Sequence, residues 1–113
     1  MQASGGVKSV AGKKGFEATV PGSKGLLLAC FTTDWCPYCV RFRKPFRSHR
    51  GRAGVGMVEV DLSDEDDPLW EEMRIDVVPT IVLFRDGKEV ARVNGTLGKG
   101  LKSEDVDSLL AKS

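Results

Sequence analysis

Hydrophobic residues recur along this chain with two periods, and each change of period marks a new element. Leu26-Leu27-Leu28-Ala29-Cys30-Phe31 is apolar on both alternating faces. That is the pattern of a strand covered on both sides, as in a parallel sheet. Residues 55–60 read as a second buried strand. From Pro37, which suits the first turn of a helix, the period lengthens. Cys39, Phe42 and Phe46 fall at i, i+3 and i+7, one stripe of a helix, and Pro45 predicts a kink in it. Asp67-Pro68 reads as an N-cap followed by a first-turn proline. Leu69, Trp70 and Met73 supply the apolar face of the helix that follows. Residues 80–84 and 89–93 are strands joined through Asp86-Gly87, a two-residue hairpin signal. Ser103 is placed to cap a last helix, with Val106, Leu109 and Leu110 inward.

The beginning of the chain is less patterned. Residues 1–6 read as a flexible tail, and residues 7–10 as a short edge strand. Residues 15–20 read as a short helix crowded by Gly12, Gly15 and Gly22. The predicted order is β-α-β-α-β-α-β-β-α, which implies a mixed sheet with helices on both faces. With 113 residues, residues 7–113 form one domain with one core. No repeat or low-complexity segment interrupts it.

Composition narrows the class. A hydrophobic fraction of 41% can fill such a core, and a net charge of +1 gives no bulk bias toward nucleic acid or an anionic membrane. No apolar run approaches the roughly 20 residues that span a bilayer. The first residues carry lysines but no apolar block, so no secretory signal is expected. Charge is nevertheless segregated. Arg41, Arg43, Lys44, Arg47, Arg50 and Arg52 lie in and just after the second helix. Asp61, Asp64, Glu65, Asp66, Asp67, Glu71, Glu72 and Asp76 surround the third. These are read as two solvated faces on opposite sides of the sheet. The sharper reading is that the basic run steers acidic partners. No aromatics interleave the basic run, so nucleic-acid binding is not expected.

The chemistry concentrates in Trp35-Cys36-Pro37-Tyr38-Cys39, between a buried strand and a helix. A thiol attacks a disulfide only as thiolate, and a free cysteine titrates near about 8.5. A helix N-terminus favours the anion at Cys36 through its unpaired N–H groups and its dipole. Cys39, one turn on, shares that side. The pair can therefore work in two steps, Cys36 attacking a substrate disulfide and Cys39 attacking Cys36 to release reduced product. Trp35 is expected to pack over the pair, and Tyr38 to offer a flat contact for a partner. Three rivals remain: two ordinary buried cysteines, a zinc site, and an iron–sulfur cluster shared between two chains. Zinc wants four ligands. Cys30 lies in a strand, and His49 is ten residues beyond Cys39 along one helix, so no metal site is expected in one chain.

With Val78-Pro79-Thr80 opening the next strand, the Asp86-Gly87 hairpin and Gly95 after the last strand, these residues resemble the thioredoxin superfamily. The resemblance implies a thioredoxin-like fold, a three-layer α/β/α sandwich with a mixed central sheet. It implies that Cys36 is the nucleophile and Cys39 the resolving thiol. Trp35, Pro37, Tyr38, Val78, Pro79 and Gly95 would border the substrate, with Pro79 cis and Val78 pairing its backbone with a bound peptide. It implies reduction or exchange of protein disulfides; a close cysteine pair in a chain without a signal fits a cytoplasmic setting, and a monomer is expected. No cofactor is needed beyond the Cys36–Cys39 couple, and a thioredoxin-reductase-type or glutathione donor would recharge it.

Three departures stand out. Pro37-Tyr38 looks like glutaredoxin, whose couples lie at roughly −200 to −230 mV against about −270 mV for thioredoxin. An intermediate potential is therefore expected, and a glutathione-dependent enzyme is one alternative. A non-enzymatic peptide-binding or cluster-bridging module is another. Second, Cys30 stands where thioredoxins carry a buried aspartate. It is read as a small hydrophobe, and Glu59 on the neighbouring strand as a solvent-reaching or strand-edge charge. Third, Pro45 falls one residue later than in typical thioredoxins.

Overall fold

In a computed structural model of the chain, residues 7–49, 51–96 and 99–112 are described. The expected tail, residues 1–6, lies outside them. One mixed sheet has the strand order β1-β3-β2-β4-β5, formed by β1 (Lys8–Ala11), β2 (Leu26–Thr32), β3 (Val55–Asp61), β4 (Thr80–Arg85) and β5 (Lys88–Asn94). The first three strands run parallel, whereas β4 is antiparallel to β2 and β5 to β4. Among the described residues, four helices complete the fold: α1 (Gly12–Thr19), α2 (Pro37–Ser48), α3 (Leu69–Glu72) and α4 (Ser103–Leu110).

The alternation along β2 explains the three layers. Leu28 and Cys30 point into one cluster with Phe42, Phe46, Val106 and Leu109, which places α2 and α4 on that face. Leu27, Ala29 and Phe31 point the other way, toward Phe16 of α1 and Leu69 of α3. Residues 27–32 are all buried, as the two-faced apolar run implied. The basic α2 and the acidic α3 therefore cover opposite faces.

Local differences have physical causes. Helix α1 starts three residues before its expected start, despite its glycines. Phe16 anchors it under the sheet with ring centroids 5.9 Å from both Phe31 and Phe84, and tertiary packing outweighs weak propensity. Helix α2 continues through Pro45 to Ser48. Helix α3 is a single turn. Asp67 caps it as expected, its Oδ1 accepting the Leu69 N–H at 2.9 Å, but Arg74 adopts a φ of +54° and ends the helical path. Ser103 does not cap α4. It is the first helical residue, and the carboxylate of Asp105 reaches back to accept the Lys102 N–H at 2.8 Å. The Asp86-Gly87 turn has φ values of 52° and 83°, the left-handed pair that a tight hairpin needs. Asp86 also ties that turn to the chain entering β2, its Oδ1 accepting the Gly25 N–H at 2.7 Å.

Candidate active site

The end of β2 and the start of α2 place the cysteines. Cys36 is the N-cap of α2, with extended φ and ψ of −99° and 119°, and Pro37 follows in the first turn. A residue there faces N–H groups that have no partner within the helix. The Cys36 thiol is 9% exposed and lies 3.6 Å from the Val78 carbonyl oxygen, to which it can donate. Cys39, one turn on, is only 1% exposed. Burial pushes its thiol above the ordinary value, and contact with Cys36 pushes the same way. The Thr32 hydroxyl and the Thr33 N–H partly offset this by hydrogen bonding to its sulfur. The two thiols thus differ in access. One opens to the surface and its neighbour is held protonated behind it.

Val78 packs in the same core cluster as Cys36 and Cys39 and leads through a cis Val78–Pro79 peptide into β4. Gly95 lies behind that bond. Its N–H donates to the Pro79 carbonyl at 2.9 Å, and a Cβ at residue 95 would collide with the same oxygen. Pro79 and Gly95 are both buried, so both sit under the site.

A cleft of about 320 Å³ opens above Cys36. Trp35, Pro37, Tyr38 and Val78 line it, which brings together most of the residues expected to border a substrate. Trp70, Asp76, Val77 and Thr96 also line it and were not anticipated. The nearest signal was Trp70 itself, because a tryptophan is rarely swallowed whole by a core. Trp35 does not fold down over the sulfurs. It is 52% exposed and stacks on Trp70, with centroids 6.5 Å apart and planes 17° from parallel. Both indole N–H groups are tied to one loop, Trp35 Nε1 donating to the Ser63 carbonyl at 2.9 Å and Trp70 Nε1 to the Asp64 carbonyl at 3.1 Å. On the other side of Cys36, the Arg41 guanidinium sits 5.3 Å from the Tyr38 ring centroid.

Beneath the pair, Cys30 is 3% exposed, and its thiol is pushed well above the ordinary range by burial first, then by Cys39 and Glu59, with Arg43 opposing. It remains a protonated, apolar-like filler. Glu59, in register with Cys30 across β2 and β3, corrects the expectation of a solvent-reaching charge. It is buried and held in a two-pronged pair by Arg47 of α2, at 2.6 and 2.9 Å. The reason is topological, since β3 is an inner strand and its side chains face helices. His49 binds elsewhere, with Nε2 2.7 Å from Asp107 Oδ1 and Nδ1 accepting the Gly51 N–H. Among the described residues, no three His, Cys, Asp or Glu side chains are grouped to hold a metal, and no helix is long and apolar enough to cross a membrane.

The thioredoxin family model matches residues 7–106. The chain is 30% identical over 109 residues to the chloroplastic thioredoxin X of Arabidopsis thaliana, covering 94% of this chain and 59% of that protein. It is 32% identical over 87 residues to the thioredoxin of Chlamydia caviae, covering 76% of this chain and 78% of that one. A solved thioredoxin from Malassezia sympodialis superposes with a TM-score of 0.77 at 22% identity, over 99% of this chain and 94% of the other, a likeness of fold alone.

Proposed function

Because the chain belongs to the thioredoxin family, we propose that it is a thiol–disulfide oxidoreductase acting on protein disulfides through Cys36 and Cys39. One observation carries the reading: a thiol at the N-cap of α2 that borders an apolar cleft, backed by a more deeply buried second thiol. The N-terminus of α2 favours negative charge on the Cys36 sulfur. That sulfur attacks one sulfur of a substrate disulfide. A Cys36–substrate S–S bond forms, the substrate's own S–S bond breaks, and the departing thiolate takes a proton. Cys39 then gives up its proton and attacks the Cys36 sulfur. The Cys36–Cys39 bond forms and the second substrate thiol leaves, so the substrate gains two electrons and the dithiol loses them. In this reading the Val78 main chain, which lies beside Cys36, pairs with an extended substrate, and Tyr38 and Trp35 flank it.

The working direction is net reduction in the cytoplasm by a monomer, with a thioredoxin-reductase-type protein as electron donor. The match along residues 7–106 supports that donor over glutathione, while Pro37-Tyr38 keeps an intermediate potential as the expectation. Reduction of insulin disulfides, followed by turbidity, tests the assignment. Cys36→Ser should lose the activity, and Cys39→Ser should accumulate a mixed disulfide visible on a non-reducing gel. Full insulin reduction by Cys36→Ser overturns the proposal.

A further inference from the structure

The cleft at Cys36 has a second compartment. On the other side of Trp70 lies an open pocket of about 560 Å³, which shares Trp70 and Asp76 with the cleft. Its remaining walls carry Glu65, Asp66, Asp67 and Glu71 against one cation, Arg74. Asp67 is occupied internally, its two oxygens accepting the Lys13 and Leu69 N–H groups. Asp76 also faces Arg92, whose charge it supports, so Glu65, Asp66 and Glu71 remain to set the sign of the field. The two compartments therefore differ in kind. The one at the sulfur is walled by Trp35, Pro37, Tyr38, Val77 and Val78 and suits an apolar side chain. The one beyond it joins an indole to carboxylates, a combination that suits a cationic side chain, because both the aromatic face and the acids attract it. The indole is fixed for this by its stacking on Trp35 and its bond to the Asp64 carbonyl. Within the basic run of α2, Arg47 and Arg52 are engaged far from the cleft, with Glu59 and the Leu110 carbonyl.

Resting on the oxidoreductase reading above, we infer that the preferred substrate is an extended peptide with a bulky apolar residue next to the disulfide cysteine and a lysine or arginine within about three residues of it. The apolar side chain fills the cleft against Trp35 and Trp70. The basic one crosses Trp70 into the acidic pocket. Arg41 of the basic helix borders the cleft at Tyr38, and the carboxylates border it at Trp70, the residue both compartments share, so the steering expected from the basic helix is reversed on the Trp70 side.

The test uses disulfide-linked peptides of one scaffold, with leucine or glycine beside the cysteine and lysine or glutamate three residues away on both sides. A small neutral disulfide, bis(2-hydroxyethyl) disulfide, serves as reference. The lysine peptide should be reduced with a kcat/KM about tenfold above the glutamate peptide at low salt, several exposed charges each contributing a modest factor. That ratio should fall toward unity at about 0.5 M salt, where screening is short-ranged. Glu71→Gln combined with Asp66→Asn should at least halve it. Trp70→Ala should shrink the leucine-over-glycine preference. Reference and peptides all left unreduced would sink the oxidoreductase reading. The reference reduced, but with lysine and glutamate peptides within twofold or glutamate preferred, overturns this inference alone.

Discussion

Replacing Arg47 of α2 with leucine keeps an aliphatic side chain on the helix and removes the fork that holds Glu59. The carboxylate stays where it was, with 7% of its side chain exposed, between Cys30 and the helix. Breaking a wholly buried ion pair by removing one partner costs about 3–5 kcal/mol, and an exposed pair is worth about 0.2–1 kcal/mol. This pair is mixed, because the guanidinium is 51% exposed and water can take part of its place. A value between those limits, about 2 kcal/mol, is expected. For a domain of this size that is a drop of about 8 °C in Tm, measured by circular dichroism on the reduced protein. The cycle is closed with Glu59→Gln, in whose background Arg47→Leu should cost little, since no buried charge is then stranded. A Tm within about 2 °C of the parent for Arg47→Leu, or an equal loss in both backgrounds, would refute the view that the fork clamps α2 to β3.

Two further outcomes follow from the same geometry. Cys30 and Cys39 both have thiols raised above the ordinary cysteine value in the folded protein, so the fold binds their protons more tightly than the unfolded chain does. Their contribution to stability is complete below about pH 9 and is lost as pH climbs through the raised values. Reduced protein should lose Tm as pH rises above about 9, and Cys30→Ala less steeply; parallel curves would contradict this. Gly95→Ala should cost roughly 1–3 kcal/mol, as overpacking does. Because the displaced Pro79 carbonyl adjoins Val78, insulin reduction should slow as well, and an unchanged Tm would show that the Pro79 segment yields freely.

Much of the molecule was legible before any coordinates, and the residues show why. Runs such as residues 26–31 announce a doubly covered strand because alternation is a property of the chain alone. The Asp86-Gly87 turn and the Asp67 cap are equally local, decided by which φ values and side-chain oxygens those residues offer. The start of α4 lies one residue before the cap that Ser103 suggests, because the Asp105 carboxylate accepts the Lys102 N–H, and a serine near a helix start does not by itself fix which neighbour takes the cap position.

What the chain alone determined is chemical and periodic: a dithiol spaced by one helical turn, strands and helices in a fixed order, and opposite charges on two helices. What only the tertiary structure decided is adjacency between distant segments. Trp70 stacking on Trp35, Arg47 reaching Glu59, and the Val78 carbonyl beside Cys36 join residues 12 to 42 positions apart. Such contacts arise from how layers pack across a sheet, and no local period encodes them.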